Sequence, residues 1–465
     1  VKTQNTKHPH EFGWRGTIKM SASKRILALI AIAIPPITFY ALLARSLTAL
    51  PNTDDYGAII GFLLQWKNES GIKHIVEILS FQFNDYRFMF GNAIFGIQYQ
   101  LLGHVDFKAL AILGDLLVLP LFGVLYLIWR QCGRPRDYAL LAFVPVSWML
   151  FQLQYEGTLN FATPGLQRLP VIMFALLTCY LVTEKSTKAF LCALVSLLLC
   201  IASDGSGLFM IPVGLLFYVQ RREFRRLAAW SACCVVACIV YFHGYNFTVE
   251  AVHTHSNNNV LSLLQHLSPV YAAAFLGNIA TVRNPVPAIL FGIVMVGLFV
   301  FATYDRLFER RPALYYSALY FFVIAIAVSG LRSSLGLATA ANSAYRIYST
   351  VLAIVLYLYL ADKLYDSKIR PSLRRVGLCM IGVLLIGFNF ASDLGGEKVL
   401  LEKKHEIEAA MLRWERHEPS PHIHAISPGD LLAKQKEADS YAPRQPFLSD
   451  SLREGIFILP RVPGQ

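Results

Sequence analysis

Apolar runs long enough to cross a bilayer recur along this chain from Ile26 to Phe390, and that repetition constrains its fold more than any other feature. Hydrocarbon offers the backbone no water to bond, so a crossing segment must satisfy its own N–H and C=O groups, as a helix does. The runs read as crossings at 26–47, 109–129, 138–153, 170–183, 189–203, 207–220, 227–245, 285–304, 312–331, 348–361 and 376–391. Several fall short of a full span, so their ends are expected to extend into polar flanks. Only 15% of the residues are charged, well below the quarter or so usual in a soluble chain. The expected fold is all-α, a polytopic transmembrane helical bundle of about eleven spans.

Charge placement gives the orientation. The formal net charge is +12, and most of the cations sit in short clusters between apolar runs. Membrane proteins mark their cytosolic loops this way, so the positive balance does not point to nucleic acid. Lys24 and Arg25 put the start of the first run inside. The inside loops then hold Arg130, Arg134 and Arg136, then Lys185 and Lys188, then Arg221, Arg222, Arg225 and Arg226. Arg306, Arg310 and Arg311 follow, and after them Lys363, Lys368, Arg370, Arg374 and Arg375. The residues ahead of Ile26 lack the apolar core and cleavage site of a secretory leader, so the first run is expected to be a retained anchor. The N-terminus is then cytoplasmic and the C-terminus extracytoplasmic. Residues 268–282 are apolar but short, and counting them as a crossing would put Arg306 to Arg311 outside. They read as a re-entrant or interfacial helix, or as a half-span completed by Pro285 and Pro287.

Two units follow: a transmembrane part, 1–391, whose first extracytoplasmic loop is 48–108, and an extracytoplasmic tail, 392–465. In the loop, 56–66 and 72–83 look amphipathic and are expected to lie as helices on the membrane surface. The tail opens with a charged helix over 397–418, turns Pro-rich and ends in Gly455-Ile456-Phe457-Ile458-Leu459-Pro460. It has too few apolar residues for a core of its own, so it is expected to pack on the membrane part. Seven of the eight cysteines lie in apolar runs and Cys132 in a basic loop, so neither a structural disulfide nor a zinc site is expected.

Asp54-Asp55-Tyr56 follows the first run at the outer interface. Carboxylates there are costly unless solvated or used, and the preceding Pro51-Asn52-Thr53 also reads as a solvated turn. Arg87, Arg168, Arg283, Arg332 and Arg346 fall in or beside outside loops, against the trend. A guanidinium offers phosphate two parallel donors, whereas a lone interfacial arginine more often meets a lipid head or a helix end. Glu156 shares a loop with Asn160, Thr163 and Gln167, which either binds sugar hydroxyls or forms a polar turn. Asp115, the main ionisable residue within a run, either bonds a neighbouring helix or helps to hold the acceptor or another loop. His253 with His255, and His422 with His424, read as solvated pairs. The sequons at Asn68 and Asn246 matter only in a secretory lumen.

An acidic pair in the first outside loop, after an N-terminal anchor in a many-span chain, resembles the C-type (GT-C) glycosyltransferase superfamily. Phe83-Asn84-Asp85-Tyr86-Arg87 resembles a Glu-His-Arg-like element of a bacterial branch of related polytopic proteins. Gln154-Tyr155-Glu156-Gly157 resembles a Trp-Glu-Asn element with Trp and Asn replaced. Ser203 to Pro212 and Ser343-Ala344-Tyr345-Arg346 resemble a Gly-Leu-plus-Pro and a Ser-Arg-Tyr element. The resemblance implies a polyprenyl-phosphate-linked sugar donor, a glycolipid or polysaccharide acceptor, and a bacterial inner membrane. It makes Asp54 or Asp55 the catalytic base, and Arg87 and Arg346 the contacts to the donor phosphate. Tyr56, Asp85, Tyr86, Glu156 and Tyr345 become substrate-binding candidates, with Tyr56, Trp66 and Tyr86 stacking on sugar or isoprenoid faces.

The chemistry is coherent. A sugar leaving from its lipid phosphate needs no general acid, so one carboxylate that takes the acceptor proton suffices for an inverting displacement. The departing phosphate needs positive charge, fixed donors or a divalent cation. A transporter or flippase is the alternative of another class; the near absence of charge within the runs and of any visible repeat counts against it. A polysaccharide polymerase or ligase would share the chemistry but use a lipid diphosphate.

Overall fold

The computed structural model describes residues 20–68, 72–84, 86–246, 267–281, 284–367, 371–416 and 447–460. Among these the structure is helical, apart from a two-residue hairpin that pairs Gln82 with Arg87 and Phe83 with Tyr86, and one isolated bridge. Among the described residues, eight helices are long and apolar enough to cross a membrane. They are Ala22–Ser46, Phe107–Arg130, Arg136–Tyr155, Ala162–Val182, Phe224–Phe242, Val286–Tyr304, Pro312–Leu335 and Ser343–Asp366. The other three expected runs also lie in helices, Thr187–Ser203, Met210–Arg221 and Pro371–Glu415. Large apolar side chains line the outside of the bundle, among them Leu27 and Ile30 on the first helix and Leu290 and Ile293 on Val286–Tyr304. Such a surface is stable in lipid rather than water. The chain is an integral membrane protein.

The basic loops expected to share one side meet at one end of the bundle. Arg134 binds Asp362 at 2.6 Å and Asp366 at 2.5 Å, and Arg311 reaches the same Asp362 at 3.3 Å. Lys363 and Arg310 converge on Asp305, and Arg25 pairs with Asp137 at 2.7 Å. Arg226 donates to the Lys185 carbonyl. These contacts make up the basic end of the bundle.

The first helix contains Pro35 and Pro36, which lack the N–H groups that Ala31 and Ile32 would otherwise receive. The neighbouring helix replaces both. Trp148 Nε1 donates to the Ala31 carbonyl at 3.0 Å and Ser147 Oγ to the Ile32 carbonyl at 2.7 Å.

Within 268–282, the helix Pro269–Leu276 has eight residues, about 12 Å, against a hydrocarbon core of about 30 Å. It packs on the first turns of Val286–Tyr304, where a Cβ on Gly292 would lie 1.8 Å from the Ala273 carbonyl oxygen. Only glycine allows that approach.

The first loop and the tail form a second core. Tyr56, Ile59, Ile60, Phe62 and Leu63 are buried with Phe88, Phe95, Ile407, Leu448, Ile456 and Phe457. The 56–66 segment is therefore an interior helix rather than the expected surface helix. Its run is apolar all round, and such a helix is buried. Between Tyr56 and Ile60 it widens into a π-helical turn. Ile72–Leu79 retains a two-sided character, with Ile78 buried and Glu77 exposed. The expected charged helix of the tail is continuous with the last apolar run in one 45-residue helix, Pro371–Glu415.

Candidate active site

Asn52 begins a short helical turn, Thr53–Asp55, and the two carboxylates leave it in different directions. Asp55 is 2% exposed. One of its oxygens accepts from Thr163 N at 3.0 Å and Thr163 Oγ1 at 2.6 Å; the other accepts from Asn52 N at 3.0 Å. Asp55 thus anchors the N-terminal turn of Ala162–Val182, where a negative charge also meets the positive end of the helix dipole. Burial pushes its carboxyl up to about 6, and the hydrogen bonds from Thr163 and Asn52 hold it from rising further. Asp54 is only partly buried and has no hydrogen bond or ion pair among the described residues. Of the two candidate bases, Asp54 is the available one. Tyr56 is 2% exposed within the second core.

Arg87 has a structural task. It is 3% exposed, and Nη1 donates at 2.7 Å to both the Tyr241 and His243 carbonyls, with the Tyr245 ring centroid 5.4 Å away. These carbonyls close the helix Phe224–Phe242, so Arg87 caps its C-terminus and fastens the hairpin to it. Burial pulls its pKa below the usual arginine value. Tyr86 packs between Phe83 and Phe88 at ring distances of 5.9 and 5.7 Å. Asp85, His253, His255, Arg283, His422 and His424 lie outside the described residues.

Arg346 is placed differently. Its Nη1 donates to the Gln154 carbonyl at 2.9 Å, and Glu156 lies 3.8 Å from it. Its Nε, like that of Arg87, is buried with no hydrogen-bond partner among the described residues. The next residue back, Tyr345, receives a hydrogen bond from Arg332 on its hydroxyl, and the Arg168 guanidinium stands 5.5 Å from its ring centroid. Two guanidiniums, Arg168 and Arg332, thus meet at one phenol, while Arg346 reaches the 154–157 segment that Arg168 also touches through the Gly157 carbonyl. The sequence sets Arg168 and Arg332 among five outside arginines but assigns neither to the donor phosphate. Their outside position was legible, but their convergence depends on tertiary packing.

The floor beneath is polar and ordered. Gln167, one turn after Thr163, donates to Asp204 at 2.7 Å, and Ser206 binds the other Asp204 oxygen. Asp115 accepts the Asn160 backbone N–H at 3.1 Å, so it holds the loop that leads into Ala162–Val182. Asn160 is left-handed (φ 59°) and donates to Ser46 Oγ and the Leu43 carbonyl. Arg168 is five residues beyond Thr163, about 7.5 Å along the helix axis. Asp54 and the arginines thus flank the same end of Ala162–Val182, away from the basic end.

A divalent cation fits these residues poorly. Among the described residues there is no group of three His, Cys, Asp or Glu placed to hold one, and both Asp55 oxygens are already engaged. No family model matches the chain, and no curated protein or solved structure matches it.

Proposed function

We propose that this chain is a membrane glycosyltransferase. It moves a sugar from a polyprenyl-phosphate-linked donor to an extracytoplasmic glycolipid or polysaccharide acceptor, such as O-antigen or a cell-wall glycan. The supporting observation is a guanidinium cluster at the same end as Asp54: Arg168 and Arg332 meet Tyr345, and Arg346, whose buried Nε has no hydrogen-bond partner among the described residues, reaches the 154–157 segment beside them. A buried N–H without an acceptor is costly, and a phosphate oxygen is the acceptor a guanidinium suits best. By the positive-inside rule the basic end faces the cytosol, so in this reading the site lies outside.

In this reading Asp54 takes the proton of the acceptor hydroxyl as its oxygen attacks the anomeric carbon. The bond from that carbon to the phosphate oxygen breaks, and the lipid phosphate leaves with the electron pair. Arg168 and Arg346 meet the growing negative charge. Glu156 orients Arg346, while Asp55 fixes the turn that carries Asp54. The resemblance to the C-type superfamily agrees with this assignment of an acidic residue in the first outside loop.

The test is transfer of a labelled sugar from a lipid-phosphate donor in membranes. Asp54→Asn should abolish transfer without reducing the amount of folded protein. An active Asp54→Asn protein would remove the base. Lipid scrambling by a wild-type protein with no transferase activity would favour the transport reading.

A further inference from the structure

An apolar groove of about 600 Å³ opens between the first helix and Pro371–Glu415, with Trp148 at its base. Ile34, Ala41 and Leu42 form one wall, and Ile386, Phe390 and Leu394 the other. Toward the candidate-site end the lining turns acidic, with Asp393 and Glu397. Glu397 pairs with Arg45, whose side chain is 64% exposed. Asp393 has no such partner. It is 8% exposed, one oxygen accepts Leu153 N at 3.0 Å, and the other has no donor among the described residues. A carboxylate buried against hydrocarbon is costly unless a cation or a donor meets it.

We propose that this groove holds a phospholipid whose head carries a primary ammonium, as in phosphatidylethanolamine. A chain fills the apolar walls, the ammonium donates to Asp393, and the phosphate lies by Arg45. The charge order selects this head. An anionic lipid without an amine would set its charge against two carboxylates, and a choline head has no N–H to satisfy Asp393. Leu153 and Glu156 belong to one short segment, so the head sits at the depth of the candidate site. The proposal does not depend on the transferase reading.

The full chain in nanodiscs of mixed phosphatidylethanolamine, phosphatidylglycerol and phosphatidylcholine tests it, with retained lipid identified by native mass spectrometry. Phosphatidylethanolamine should be retained over the other two by about tenfold, the scale of one charge-assisted hydrogen bond. Asp393→Asn should remove that preference. Gly387→Trp should abolish retention by filling the groove; a Cβ there meets nothing within 4 Å, so the variant should fold. Chain-brominated phosphatidylethanolamine should quench the wild type more than Trp148→Phe. Equal retention of phosphatidylglycerol, an unchanged preference in Asp393→Asn, or equal quenching would overturn the proposal.

Discussion

Adjacent residues in a helical turn point about 100° apart, and at Asp54 and Asp55 that rotation separates two tasks. Asp55→Ala should cost about 1–2 kcal/mol of stability, the usual scale of a lost helix cap, because Thr163 and Asn52 lose their acceptor. Asp54→Asn should leave the melting temperature unchanged while removing transfer. Thermal melts beside transfer assays on both variants separate the roles. Asp55 also sets a pH dependence. Its carboxyl is raised from an ordinary 3.8 to about 6, so across that window the folded state keeps a proton that the unfolded state releases. Stability therefore falls as pH rises from 3.8 to about 6. Asp55→Asn should lack this component, and melts across the window, referenced to that variant, would show it. The arginines divide similarly. Arg87→Lys should cost about 1–3 kcal/mol through the two helix-end carbonyls it leaves behind. Arg168→Lys should melt normally but transfer sugar about 10–100-fold more slowly, since an ammonium lacks the planar fork.

At the scale of elements, the paired prolines of the first helix make a falsifiable unit. Ser147→Ala leaves the Ile32 carbonyl without a donor and should cost about 1–3 kcal/mol. In a Pro36→Ala background the restored N–H at position 36 can bond that carbonyl itself, so the same Ser147→Ala change should cost less. A double-mutant cycle on melting measures the difference, and equal costs in both backgrounds would mean the staple does not act through the proline. The helices themselves were readable in sequence because an apolar run in a membrane has few options other than helix. The burial of 56–63 was not. Its partners, Leu448, Ile456 and Phe457, stand at the far end of the sequence, and no local pattern announces that a loop will be covered by them. The union of the charged stretch from Glu397 to Glu415 with the last apolar run was also hidden, because composition changes along it while the backbone does not.

For the whole molecule, charge asymmetry was the most legible feature of all. Loops assigned to one side by their cations are joined by the Arg134, Arg311, Lys363 and Arg226 contacts at one end. The candidate site was half legible by the same route. Placement outside gathered Asp54, Glu156, Tyr345 and Arg346 at the other end, but it could not tell Arg87, whose Nη1 closes a helix end, from Arg346, which meets a loop carbonyl beside Glu156. That difference lies in which carbonyls a guanidinium meets, which sequence spacing does not encode. The side faced by each end is then the claim on which an extracytoplasmic transferase stands. Arg453, 72% exposed by side chain, marks the end that carries the second core, and Lys188 marks the basic end. In intact cells a membrane-impermeant maleimide should label Arg453→Cys above the background of the parent chain. Lys188→Cys should react only after permeabilisation. The reverse pattern would put Asp54 and the three arginines in the cytosol, where an extracytoplasmic acceptor does not reach them.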